Sequence, residues 1–106
     1  MTEDVPLDDL PPELADRVRA AAAHADYRSI HHHDDGYLVY AHSGDRVVIM
    51  DLALAPNNSV AETTETLLAS AIVGATAGDD EGVLEVVDGG RRRRLAVPAG
   101  LARRLG

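Results

Sequence analysis

Residues 27–54 contain three β-prone runs separated by two turn signals, and this pattern constrains the fold most strongly. Asp35-Gly36 and Gly44-Asp45 are dipeptides of the kind found in two-residue hairpin loops. The runs beside them are rich in residues that favour strands. The pattern predicts a three-stranded antiparallel meander.

Two-residue loops also determine which residues face each other. They place His31 opposite Tyr40 in the first hairpin, and Leu38 opposite Asp51 in the second. Because paired residues share a face of the sheet, one face is predicted to belong to the core. That face carries Ile30, His32, Val39, Ala41, Val48 and Met50. The other face, which mixes apolar and polar side chains, carries His31, His33, Leu38, Tyr40, His42, Val47, Ile49 and Asp51.

Two amphipathic patterns flank the meander. Apolar residues recur at three- and four-residue steps over residues 12–25, where a first helix is predicted. A second helix is predicted over residues 59–77, beginning with Ser59 and Glu62 as a capping box. Its surface carries almost no charge after Glu65, which indicates burial against the sheet or a partner.

A second hairpin is predicted over residues 83–97, turning at Gly89-Gly90. It places Asp88 opposite Arg91, and residues 99–105 then form a short helix. The predicted fold class is α+β, in the order helix, three-stranded antiparallel meander, helix, β-hairpin and short C-terminal helix. Residues 1–9 are interpreted as a flexible acidic tail, and residues 10–106 as a single domain.

Charge is distributed unevenly along the 106 residues, whose net charge is −8. Residues 1–78 carry 13 acidic residues and 4 arginines, whereas residues 79–106 carry 5 and 6. All ten basic residues are arginine. The chain has no cysteine, which excludes disulfides and thiolate metal sites.

The arginine-rich segment is a candidate surface for anions or nucleic acid. Guanidinium groups bind phosphate oxygens, although the acidic remainder of the chain disfavours a nucleic-acid partner. The alternative is a solvated hairpin with cross-strand ion pairs to Glu85 and Asp88. The candidate residues are Arg91, Arg92, Arg93, Arg94, Arg103 and Arg104.

A run of histidines is the second candidate. Imidazoles two residues apart on a strand can bind one zinc or nickel ion. Two alternatives remain open: a solvent-facing polar strand, and a switch that responds to mild acid by protonation. The candidate metal ligands are His31, His33, His42 and Asp51.

Two families share features with this sequence, and we assign the chain to neither. Residues 90–106, which read GRRRRLAVPAGLARRLG, resemble the strand–Pro–helix element of AbrB-type DNA-binding regulators. The strands that follow that element in the family have no counterpart here. The order of predicted elements resembles Roadblock-type dimerisation domains, which implies a dimer.

These observations predict a small, non-enzymatic interaction or regulatory module. No serine lies in a nucleophile-elbow sequence, and no glycine-rich segment ends as a phosphate loop does. The expected partner is a second copy of the chain, with another protein as an alternative, and the interface would use the helix at 59–77. No apolar run reaches the ~20 residues of a membrane span, so we expect a cytoplasmic protein with no membrane partner and no required cofactor.

Overall fold

The computed structural model describes residues 4–106. It confirms an α+β fold, with two helices and two antiparallel sheets of four and three strands. The chain divides into two compact units, one described over residues 4–66 and the other over Leu67–Gly106. Whether residues 10–106 behave as a single domain stays a prediction.

The helices and strands have the following bounds. The helices are α1 (Pro12–Ala21) and α2 (Ala99–Leu105), and two 3-10 turns cover Leu7–Asp9 and Ala69–Ala71. The strands are β1 (Tyr27–His33), β2 (Gly36–Ser43), β3 (Arg46–Leu54), β4 (Val60–Leu68), β5 (Ile72–Ala77), β6 (Glu81–Asp88) and β7 (Arg91–Pro98). Within residues 4–106, no helix is both long enough and apolar enough to cross a bilayer.

In the first unit, one face of the sheet forms the hydrophobic core with α1. The strand order is β1-β2-β3-β4. The face predicted to be the core supplies Ile30, Val39 and Met50, which are aligned across three strands. Leu14 and Val18 of α1 belong to the same cluster and are fully buried. Burial of each such side chain contributes about 1.5–3 kcal/mol, so this face holds the unit together.

The predicted register is right for the second hairpin and wrong for the first. Leu38 pairs with Asp51 as predicted, but His31 pairs with Leu38 instead of Tyr40. The first loop consists of Asp34 and Asp35, because Asp34 adopts the left-handed conformation with φ 49°. Aspartate tolerates that conformation better than most residues. Since the displacement is two residues, every side chain keeps its predicted face.

The predicted helix over residues 59–77 is wrong, because the segment forms β4, a 3-10 turn and β5. Ser59 does not cap a helix: its backbone N–H and its hydroxyl both donate to Asn57 Oδ1, at 3.1 and 2.6 Å. These bonds stabilise the turn between β3 and β4, where Asn58 has φ 62°. The segment is rich in threonine, valine and isoleucine, whose branched side chains favour strands over helices.

The first helix is shorter than predicted and ends at Ala21 instead of near residue 25. Ala22 leaves the helical region with φ −116° and ψ 24°. The Asp26 N–H donates to His42 O at 2.8 Å, which draws the chain into the first hairpin. This bond leaves no length for a further helical turn.

Part of the predicted acidic tail is attached to the edge strand β1. Val5 is buried in the core, and its N–H donates to Ile30 O at 2.6 Å. The Ile30 N–H donates to Asp4 Oδ1 at 2.8 Å. Residues 4 and 5 therefore satisfy both backbone groups that Ile30 presents at this edge. Residues 1–3 of the predicted tail lie outside the described residues.

In the second unit, α2 packs on a three-stranded sheet of order β5-β6-β7. Its core includes Leu84 and Val86 of β6 and Leu101 of α2, all fully buried. The hairpin between β6 and β7 has the predicted register, with Asp88 opposite Arg91. Its turn is Gly89-Gly90, and both glycines have positive φ, as this type of tight turn requires.

Gly82 allows α2 to approach β6 closely. A Cβ at this position would overlap the Ala102 side chain and lie 3.0 Å from Thr76 O. We expect Gly82→Ala to lower the free energy of unfolding by about 1–3 kcal/mol, measured by urea denaturation. Gly74→Ala on β5 is the control, because its Cβ would meet Glu85 atoms at ordinary distances of 3.7 to 3.9 Å. Equal effects of the two substitutions would contradict this packing.

Candidate functional sites

The four residues predicted to bind a metal lie on one face of the β1–β2–β3 sheet in different environments. His31 is buried, whereas Asp51 is exposed. His33 Nε2 lies 3.6 Å from Asp34 Oδ2, and His42 Nε2 lies 3.1 Å from Gly44 O.

The structure does not bring these four residues together. His31 and Asp51 both pair with Leu38, on opposite sides of β2, so their backbones are about 10 Å apart. His42 pairs with Tyr27, which lies about 13 Å along β1 from His31. Residues 4–106 contain no group of three His, Asp or Glu side chains that could hold a metal. Zinc or nickel binding stays a prediction, with no ligand set in that part of the chain to support it.

A different arrangement surrounds His31, and we call Ser29, His31 and Tyr40 the β1–β2 polar patch. Ser29 and His31 are two residues apart on β1 and share a face, with exposed fractions of 4% and 9%. Tyr40 lies opposite Ser29 in the register. Its ring centroid is 5.9 Å from that of His31, in an edge-on geometry of 68°.

Three polar atoms of this patch lack a hydrogen-bond partner among the described residues. Ser29 Oγ and both ring nitrogens of His31 are buried, and the described residues provide no partner for any of them. Native proteins leave few buried polar atoms unpaired. Three such atoms on Ser29 and His31, which are two residues apart on β1, therefore mark the patch as a candidate site. Sequence reasoning selected His31 as a metal ligand and missed Ser29. The available signal was the two-residue spacing, which places both on one face.

Burial raises the pKa of Tyr40 above its ordinary value of 10.0, and the nearby Tyr27 raises it further. Burial acts by removing water from around the phenolate, and Tyr27 acts by charge repulsion. The hydroxyl of Tyr40 therefore remains protonated at neutral pH and can donate a hydrogen bond.

The predicted arginine site lies mainly on β7. Arg91, Arg92 and Arg94 are exposed, and Arg92 Nη1 lies 4.0 Å from Glu85 Oε2. Glu85 pairs in register with Arg94, so its ion pair is diagonal instead of directly across the hairpin. Neighbouring residues alternate between the two faces of β7, which separates Arg91 from Arg92.

The two later arginines lie at the end of α2. Arg103 Nη1 donates to Gly78 O at 3.4 Å, and Arg104 is exposed but has an interaction partner. Arg93 is partly buried and also has a partner. The structure therefore does not gather all six arginines on one open surface, and the exposed arginines of β7 are Arg91, Arg92 and Arg94.

An uncharged segment, residues 66–78, carries the exposed apolar side chains. Leu68 and Val73 are 51% and 56% exposed, and they are the exposed large hydrophobic residues of the described chain. They flank the 3-10 turn Ala69–Ala71. No residue from 66 to 78 carries a charge, whereas 26% of the whole chain is charged.

Comparisons with protein-family models, with curated proteins and with solved structures found no match to this chain.

Tyr40 generates a prediction about alkaline pH. The pKa of Tyr40 is higher in the folded than in the unfolded state. Its contribution to stability is therefore complete below a pH of about 10, and it is lost as the pH rises through the folded-state pKa. We expect the absorbance titration of the three tyrosines to show one late ionisation that disappears in Tyr40→Phe. The variant should also lose less stability than the parent above pH 10. Loss of the late ionisation in Tyr37→Phe instead would contradict this assignment.

Proposed function

We propose that this protein is a small, non-enzymatic regulatory or interaction module that binds a second copy of itself through residues 66–78. The supporting observation is the pair of exposed apolar side chains, Leu68 and Val73, within a segment that carries no charge. The centres of protein interfaces are depleted in charge and enriched in large apolar side chains. Residues 66–78 have both properties.

Electrostatics favour this segment as the contact between copies. Each chain has a net charge of −8, so two copies repel each other, and an uncharged contact surface avoids adding close like-charge pairs to that repulsion. The segment also includes edge-strand backbone, because β5 lies at the end of its sheet. Edge strands present unpaired N–H and C=O groups that a second chain can bind.

The strand character of this segment changes the type of interface from the one the sequence predicted. A helix over residues 59–77 would bind through side chains alone, because its backbone groups bond within the helix. Strand β5 can add backbone hydrogen bonds to apolar contacts, as in binding by strand addition. Dimer formation would also bury further apolar surface, which benefits a chain whose own core is rich in alanine.

Light scattering after gel filtration tests this proposal. We expect the parent protein to elute with twice the mass of one chain at micromolar concentration. Leu68→Glu with Val73→Glu should give a monomer, because the interface would then have to desolvate four carboxylates. Both positions are more than half exposed, so circular dichroism should show an unchanged fold.

Ala21→Glu with Ala96→Glu is the matched control, since both positions are exposed and lie outside residues 66–78. It adds the same charge and should leave the dimer intact. A parent protein that is monomeric at high concentration contradicts the proposal. If the control also dissociates, added negative charge anywhere on the chain disrupts the dimer, and the result does not support an interface at residues 66–78.

A second function, contact with nucleic acid, is supported by the shape of the β6–β7 hairpin. Strand β5 pairs with β6 only as far as Val86, whereas β7 pairs with β6 as far as Asp88. The end of the hairpin is therefore two strands wide, and it carries Arg91 and Arg92. A two-stranded ribbon is narrow enough to enter the major groove of duplex DNA.

Salt-dependent binding to a labelled DNA duplex tests this second function. We expect measurable binding at about 50 mM salt that falls steeply by about 200 mM. Replacing Arg91, Arg92 and Arg94 with alanine should weaken binding. The slope of the logarithm of the binding constant against the logarithm of the salt concentration should fall in magnitude by about 2–3.

The charge-matched control for this experiment replaces Arg19, Arg28 and Arg46 with alanine, all of them exposed residues of the first unit. It should retain the binding of the parent. No binding at low salt, or an equal loss in the control, would refute a role for the hairpin.

A further inference from the structure

We infer that Ser29 and His31 form a binding site for a small neutral molecule that carries both a hydrogen-bond donor and an acceptor, such as a primary carboxamide. Three buried atoms define the site: Ser29 Oγ, His31 Nδ1 and His31 Nε2.

The unmet bonding capacity of these atoms is costly to the fold. A buried polar atom without a partner loses its bonds to water and gains none in return. Proteins lower this cost by pairing such atoms internally or with a bound molecule. Ser29 and His31 are consecutive on their face of β1, so their side chains are neighbours.

The donor and acceptor capacity of the patch defines the class of ligand. A neutral imidazole presents one N–H donor and one acceptor nitrogen, and a serine hydroxyl can serve in either role. Tyr40 pairs in register with Ser29, and its protonated hydroxyl can donate a hydrogen bond. A carboxamide presents a carbonyl acceptor and two N–H donors, which matches this set.

Charged ligands fit the patch less well. An anion would need a nearby cation, and the arginine of β1, Arg28, lies on the opposite face by strand alternation. A metal ion would need further ligands near His31, and residues 4–106 provide no such group. The carboxylate on the same face, Asp51, lies two strands away and is exposed.

Thermal unfolding of ligand-free protein provides the first test. Ser29→Ala and His31→Leu remove the unpaired atoms with little change in volume, so we expect melting temperatures equal to the parent or a few degrees higher. Ser70→Ala and His33→Leu, at more exposed positions, are the controls and should leave the temperature unchanged within about 2 °C. A clear loss of stability in Ser29→Ala would overturn the inference, because that hydroxyl would then have an internal partner.

Titration with acetamide between about 0.1 and 100 mM is the second test, a range set by the small size of the probe. We expect saturable shifts of the His31 ring nitrogen resonances in the parent protein. The shifts should be at least tenfold weaker in Ser29→Ala and unchanged in Ser70→Ala. Acetate is the comparison probe, with the same shape and a negative charge.

Each other outcome overturns the inference. Saturable binding of acetate but not acetamide would show that the patch selects anions. No response to either probe, or an equal response in Ser29→Ala, would show that these atoms do not form a ligand site.

Discussion

Strand β2 is buried on both faces, and the rest of the first unit depends on that burial. Val39 contacts the core that α1 covers, whereas the next residue, Tyr40, is buried on the opposite face. Side chains alternate along a strand, so a shift by one residue would exchange these two environments. The left-handed turn residues Asp34 and Gly44 prevent this shift by fixing where each hairpin reverses. Alternation then determines the two faces of β1, with Ile30 in the core and Ser29 and His31 in the polar patch.

Sequence reasoning succeeded where turn chemistry and alternation agreed. The register of the β6–β7 hairpin could be predicted because Gly89-Gly90 supplies positive φ at both turn positions. The first hairpin was ambiguous, since both Asp34-Asp35 and Asp35-Gly36 can form a two-residue loop. Its faces were nevertheless predicted correctly, because the two registers differ by an even number of residues.

The segment from 59 to 77 could not be assigned from its pattern alone. Its alanines and leucines recur at helical spacing, but its branched residues favour strands, and pairing with β3 and β6 decided between them. The histidine run left a metal site, a polar strand and a protonation switch open. Strand pairing separates the four proposed metal ligands, and this separation follows from the alignment of three strands. The closeness of Ser29 and His31, by contrast, follows from their two-residue spacing on β1.

The three surfaces differ in the physical force that would act on a partner. Residues 66–78 offer apolar area without charge, the β6–β7 hairpin offers exposed guanidinium groups, and the β1–β2 polar patch offers unpaired donors and acceptors. Between two chains that each carry a net charge of −8, contact through residues 66–78 adds no further like-charge pairs. We therefore propose self-association through this segment.

Nuclear Overhauser effects filtered to detect contacts between isotope-labelled and unlabelled copies test that claim most directly. We expect intermolecular effects from the methyl groups of Leu68 and Val73. Intermolecular effects confined to other surfaces, or none in a mixed sample at high concentration, would contradict it.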